Sequence, residues 1–176
     1  MNIKQADHQD AVSLSEYYLE NATHLEPWER TVEDGYHDVG EWELRLKARE
    51  KDQQEGRAVY FLAYNDESKK IIASCSLTGI TRGAFMACFM GYSIAKLFEG
   101  QGYMKKLCVH AIDHAFNELQ LHRVMANYMP SNQRSEKLLA SLGFEKEGFA
   151  KNYLFINGKW EDHVMTSLVN SVNTKT

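Results

Sequence analysis

The chain has 176 residues, 44% of them hydrophobic and 25% charged, and carries a net charge of −4. That length fits one domain, residues 1–176, with a sizeable core, and no linker, internal repeat or low-complexity tract divides it. No Lys/Arg run exceeds two residues, which argues against direct nucleic-acid binding and leaves a basic protein partner open.

Cys75, Cys88 and Cys108 are few, odd in number and set in apolar patterns. They read as reduced core residues of a cytoplasmic protein, not as a disulfide frame. Residues 1–10 are polar and do not read as a signal peptide. The longest apolar run, 85–90, is far too short to span a bilayer, so no membrane partner is expected.

Residues 2–6 fit a short edge strand, and 11–19 fit a helix through Val12, Leu14, Tyr17, Tyr18 and Leu19. Residues 21–35 break that pattern and read as a loop holding Pro27, Trp28 and the acids Glu26, Glu29, Glu33 and Asp34. Trp28 is either a packing anchor or a substrate contact. Residues 38–54 fit a helix with a thin apolar face (Val39, Trp42, Leu46, Ala48), ended by Gly56. Strands are expected at 58–64, 71–81 and 85–94, joined by polar or glycine turns. A helix over 105–119 keeps Met104, Leu107, Cys108, Ala111, Ile112, Ala115, Phe116 and Leu119 on one stripe. A strand follows at 123–129, stopped by Pro130, then a helix over 131–142 closed by Gly143. Two last strands, 144–156 and 159–169, flank Asn157-Gly158, a strong hairpin signal. The tail from Asn170 is polar and expected to fray. Together these elements predict a mixed α/β domain with a central sheet and one parallel crossover.

The stretch with the clearest chemistry is strand 90–94, the turn Glu99-Gly100-Gln101-Gly102, and the helix after it. The first amides of a helix lack internal partners and carry the positive end of its dipole, and glycines let an anion approach the backbone. Downstream lie Asn132, Ser135, Leu138, Leu139, Gly143 and Phe144. In the order strand, x-x-Gly-x-Gly, helix, strand, Asn-x-x-Ser-x-x-Leu-Leu-x-x-x-Gly-Phe, the chain resembles the Gcn5-related N-acetyltransferases (GNAT). Gly91-Tyr92-Ser93-Ile94, the 125–130 strand end and the 142–148 segment resemble the RimJ/RimL branch, RimJ the nearer.

The resemblance implies the GNAT fold, a central mixed, mostly antiparallel twisted sheet with flanking helices. It implies acetyl-CoA as co-substrate, with its pyrophosphate on the amides of Glu99, Gly100, Gln101, Gly102, Tyr103 and Met104. Its pantetheine arm would pair with Tyr92, Ser93 and Ile94 and bond to Asn132. The residue reading keeps a second role open for Asn132, the N-cap of the next helix, for which Ser131 competes. The resemblance further implies a ribosomal-protein N-terminus, beginning with alanine or serine, as acceptor; a monomer or weak homodimer is expected. Departures are Leu97 in place of Gln or Arg, Leu139 where many relatives carry an acid Tyr, and Phe89 where the branch carries a base Glu. Ser135 matches the serine proposed in that branch to protonate the thiolate. No base carries over. A small-molecule amine, a polyamine or antibiotic, is the alternative acceptor, and a non-catalytic CoA-binding module is the alternative class.

Two further readings rest on residues alone. The acids Glu26, Glu29, Glu33, Asp34 and Asp38 either steer a basic segment or form a solvated face. His110 and His114, four apart, have no third ligand placed by sequence, so no metal is expected.

Overall fold

A computed structural model describes residues 1–171. The element order is β1 (Asn2–Gln5), α1 (Ala11–Glu20), α2 (Ala22–Leu25), α3 (Val39–Gln54), β2 (Val59–Tyr64), β3 (Ile71–Thr81), β4 (Ala87–Ile94), α4 (Tyr103–Asp113), β5 (Arg123–Met125), α5 (Gln133–Ser141), β6 (Glu145–Ile156) and β7 (Lys159–Val169). The strands form one seven-stranded sheet in the order β1-β2-β3-β4-β5-β7-β6. Every neighbouring pair is antiparallel except β4 and β5, which the α4 crossover makes parallel.

The alternation of β2 builds a core on each face of this sheet. Val59, Phe61 and Ala63 face the cluster under α4, with Leu107, Cys108, Ala111 and Ala115 of the predicted stripe. Leu62 faces the other cluster, with Leu14 and Tyr17 of α1 and Trp42 and Leu46 of α3. All three cysteines are free and buried. No described helix is long and apolar enough to cross a membrane.

Three expectations change. The 21–35 loop is partly helical: α2 and a 3₁₀ turn, Glu26–Trp28, run on from α1 and bury Leu25. A turn this short has little helical stability of its own, and packing supplies it. The 105–119 helix widens into a π turn, His114–Glu118, where Leu119 N–H donates to His114 C=O at 2.9 Å. The 123–129 strand is a β-strand only over Arg123–Met125. The expected frayed tail lies almost wholly outside the described residues, and Asn170 N–H is bonded to His122 C=O at 2.8 Å.

The short β5 decides where a ligand can enter. Only Ala87, Cys88 and Phe89 of β4 pair with it. Beyond that point β4 stays with β3 as far as Ile94. The chain after β5 stays with β7 instead: Ala126 N–H donates to Thr166 C=O at 3.1 Å, and Tyr128 and Val164 exchange both bonds. The Thr166 hydroxyl also donates to Ala126 C=O. Held by different neighbours, the two strands part, and one edge of β4 is left open.

The 157–158 turn has both residues in the left-handed region, φ 44° and 79°, as a tight hairpin requires. Its Asn157 N–H donates to Glu29 C=O at 2.9 Å, so the hairpin tip is tied to the segment after the 3₁₀ turn. Gly158→Val puts a β-branched residue at that positive φ and should cost about 1–2 kcal/mol, read as a lowered urea midpoint with an unchanged slope.

Candidate active site

The turn expected to hold an anion forms where β4 ends. Phe98 N–H and Glu99 N–H turn back to Ala95 C=O and Lys96 C=O at 2.9 and 3.3 Å. Gly100 and Gly102 then take φ values of 72° and 79°, and a Cβ on either would meet no atom within 4 Å. The chain rises into α4 with no side-chain cap at Gly102, and Lys106 N–H closes the first turn onto Gly102 C=O at 3.2 Å. The helix amides ahead of Lys106 therefore have no helical acceptor. Because the Glu99 amide is engaged, the open row begins at Gly100, not at Glu99 as expected.

These groups border a cleft of about 760 Å³, with Lys96, Lys105, Arg134 and Lys137 on its walls. Glu99 lines it as well, its carboxylate paired with Arg134 and 3.6 Å from His24 Nε2. Burial holds the His24 imidazole below its ordinary value, so this contact is not an ion pair at pH 7. Gln101 and Tyr103 are not among the residues that line the cleft: the Gln101 side-chain amide donates to Leu97 C=O and the Tyr103 ring packs on Phe98. Met104 is buried beneath.

Along β4, successive side chains point to opposite faces. Tyr92 turns toward α5, where its hydroxyl lies 2.6 Å from Ser135 Oγ. Burial pushes the Tyr92 phenol far above its ordinary value, so it stays protonated. Ser93 turns toward α1, its hydroxyl 2.9 Å from Tyr17 OH and 3.0 Å from Ser74 Oγ. Ile94 completes the cleft wall. Asn132 is the N-cap of α5, its Oδ1 accepting from Ser135 N–H at 3.0 Å, so the cap belongs to Asn132 and not to Ser131. Asn132 also borders the cleft, and the cap uses its Oδ1 and not its amide nitrogen. Leu139 is a core residue and Phe89 lines neither cavity, so neither holds a reactive group near the cleft.

A second cavity, about 350 Å³, lies on the α1 side, bordered by Tyr18, Ser74, Ser76, Gly91, Tyr128, Leu154, Ile156 and His163. Trp28, Glu29, Tyr92, Ser93, Asn132 and Ser135 border both cavities, so the two meet across β4. Of the five acids in 26–38, Glu29 alone is placed here; Glu26, Glu33, Asp34 and Asp38 are exposed. Burial pushes the Glu29 carboxyl up, against the pull of Arg30. Tyr18 is held by stacking on His37 at 4.6 Å and on Trp42 at 5.1 Å, which fixes α1 to α3. Tyr17, Tyr18 and Ser74 had no sequence signal as site residues, because a polar side chain on a helix or strand looks the same wherever its face is turned. His110 and His114 each make a T-shaped contact with Phe61, and no group of three metal-binding side chains occurs among the described residues.

Comparison with known proteins gives consistent matches. The family model for the acetyltransferase (GNAT) domain matches residues 1–145. A [ribosomal protein uS5]-alanine N-acetyltransferase of Escherichia coli (strain K12) is 43% identical over 159 residues, covering 90% of this chain and 82% of the relative. The crystal structure of a ribosomal-protein-S5-alanine acetyltransferase from Vibrio fischeri superposes with a TM-score of 0.93 at 39% identity, covering 96% of this chain and 92% of that one. Mycobacterium smegmatis RimJ, solved in complex with CoA-disulfide, superposes with a TM-score of 0.91 at 28% identity, covering 99% of this chain and 84% of that one.

Proposed function

The chain belongs to the acetyltransferase (GNAT) domain family and is an acetyl-CoA-dependent N-acetyltransferase, and from that premise we propose that its acceptor is the N-terminal α-amine of a ribosomal protein, with alanine first. The observation that carries this reading is the pair of cavities meeting across the open edge of β4. Acetyl-CoA takes the larger one. Its phosphates suit the amides from Gly100 to Met104 and the cations Lys96, Lys105, Arg134 and Lys137, a donor set that matches polyanions. Its pantetheine arm takes the place β5 vacates, bonding to the β4 main chain at Tyr92 to Ile94 as a strand would. A β4 amide there also stabilises charge on the thioester oxygen. Ser135, backed by the Tyr92 phenol, protonates the leaving sulfur.

The acceptor enters through the smaller cavity. Ser74, Ser76 and Gly91 border it, which suits a small first residue. The amine attacks the thioester directly, so no covalent enzyme intermediate is needed. A free α-amine has a pKa of about 7.7–8.0 and is partly neutral at cytoplasmic pH, whereas a lysine amine near 10.4 is not.

The test is acetyl transfer to basic peptides with a free N-terminal alanine or serine, the same peptides blocked, lysine peptides and spermidine. Activity on free N-termini that blocking abolishes is the expected result; activity on spermidine alone overturns the acceptor assignment. Steering of a basic peptide by the acids of 26–38 predicts that kcat/KM falls as salt rises from about 50 to 500 mM, while a flat profile leaves Glu26, Glu33, Asp34 and Asp38 as a solvated face.

Asn132 gives a sharper check on the CoA side. Asn132→Asp keeps the cap oxygen and loses the amide donor, so stability should hold while KM for acetyl-CoA rises about threefold to tenfold. Asn132→Ala should lower both stability, by about 1 kcal/mol, and affinity. An unchanged KM in both variants would leave Asn132 with the cap alone.

A further inference from the structure

We propose that the Glu29 carboxylate takes the proton from the incoming acceptor amine, which makes it the general base that Phe89 cannot supply. The argument is by position and then by elimination. The acceptor nitrogen must meet the thioester carbon where the two cavities join, and Trp28, Glu29, Tyr92, Ser93, Asn132 and Ser135 border both. Trp28 offers an indole N–H and Asn132 an amide, neither of them basic. Ser93 and Ser135 are hydroxyls already bonded to Tyr17 and Tyr92, and the Tyr92 phenol keeps its proton. Glu29 is the one group of the six that is a base at neutral pH.

The fold holds Glu29 there by its main chain. Its carbonyl accepts from Asn157 N–H at 2.9 Å, so the β6–β7 hairpin fixes the residue without using its carboxylate. Tyr17 and Tyr18 of α1 feel the charge of that carboxylate and Arg30 acts on it; Tyr92 of β4, Tyr128 after β5 and His163 of β7 share the smaller cavity with it, and His24, Glu99, Arg134, Lys96, Lys105 and Lys137 share the larger. Burial keeps all three of Tyr17, Tyr18 and Tyr92 neutral. Burial also raises the Glu29 carboxyl, which makes it a stronger base than an exposed glutamate. His163 borders the acceptor cavity only, and its Nδ1 lies 3.1 Å from Glu161 C=O.

The protons balance. An ammonium acceptor carries three hydrogens on nitrogen and the amide product carries one. One proton passes to Glu29 and on to solvent. The N–C bond forms, the C–S bond breaks, and the second amine proton is relayed through the Tyr92 and Ser135 hydroxyls, each gaining a proton as it gives one, so that sulfur leaves as the thiol.

This proposal rests on the acetyl-transfer reading but not on which amine is the acceptor, so the pH profile is measured on whichever amine the wild-type protein acetylates. For an α-amine, wild-type kcat/KM should be level from about pH 6.5 to 8, because loss of the amine proton is matched by its transfer to Glu29. Glu29→Gln should react only with amine that is already neutral. Its kcat/KM should be about 20-fold below wild type at pH 6.5, rise roughly tenfold per pH unit, and converge near pH 8. KM for acetyl-CoA should not change, and Glu29→Asp should recover part of the level profile. For spermidine the rising limb should extend to higher pH, which tests Glu29 even where the ribosomal acceptor is wrong. A Glu29→Gln profile parallel to wild type overturns the proposal, as does a rising profile in His163→Gln with Glu29→Gln level.

Discussion

Ser135→Ala is expected to lower kcat for acetyl transfer by about 100-fold, the lower end of what a positioned proton donor contributes, with little change in KM for acetyl-CoA. The serine sits in the first turn of α5, nearly buried, with its N–H fixed by Asn132 and its hydroxyl 2.6 Å from the Tyr92 phenol. Burial keeps that phenol protonated at rest throughout the working pH range, so it hands a proton to the serine only as it takes one from the attacking amine, while the serine gives its own to sulfur. The two hydroxyls act in series in this scheme. Tyr92→Phe should therefore cost less, about tenfold, and the double variant should resemble Ser135→Ala rather than the product of the two. Because Tyr92 does not titrate in this range, the deficit should be constant from pH 6 to 9, unlike that of Glu29→Gln. Full kcat in Ser135→Ala across a pH series would withdraw the donor role.

Gly102→Val is expected to raise KM for acetyl-CoA by about 100-fold while leaving kcat at saturation within about twofold. The residue has φ 79° at the start of α4, and no atom lies within 4 Å of where its Cβ would stand. The open space there is cleft, not core, so the side chain intrudes on the ligand and not on the packing. A β-branched residue also resists that φ by about 1–2 kcal/mol, and relaxing it swings the amide row away. Losing one charge-assisted hydrogen bond to a phosphate adds about 1.5–3 kcal/mol. Isothermal titration with CoA reads the same loss without turnover. A KM equal to wild type would mean that the phosphates are held by Lys96, Lys105, Arg134 and Lys137 alone.

The parts of this protein that its sequence determined are those set by contacts between near neighbours. Gly100 and Gly102 are read from the chain because only glycine takes those φ values without strain, and the Asn157-Gly158 turn is read for the same reason. The α4 stripe is read because a helix repeats its face every few residues: Met104, Leu107, Cys108, Ala111, Ile112 and Ala115 are in the core, and Phe116 and Leu119, past the end of α4, are partly buried against it. The family motif around Asn132 and Ser135 is local as well. Tertiary structure alone decided the rest. β5 ends at Met125 because Ala126 and Tyr128 have their partners on β7, some 40 residues on, and that divided loyalty opens β4. Glu29 reaches the meeting point of the two cavities because Asn157, far along the chain, holds its carbonyl, whereas Glu26 and Glu33, in the same acidic stretch, remain exposed. Ser93 meets Tyr17 at a separation of 76 residues. Propensity and periodicity act over one or two turns of chain and tell which face of an element is buried. Which polar groups meet across that face depends on how the elements are packed, and burial then sets which of them hold a proton.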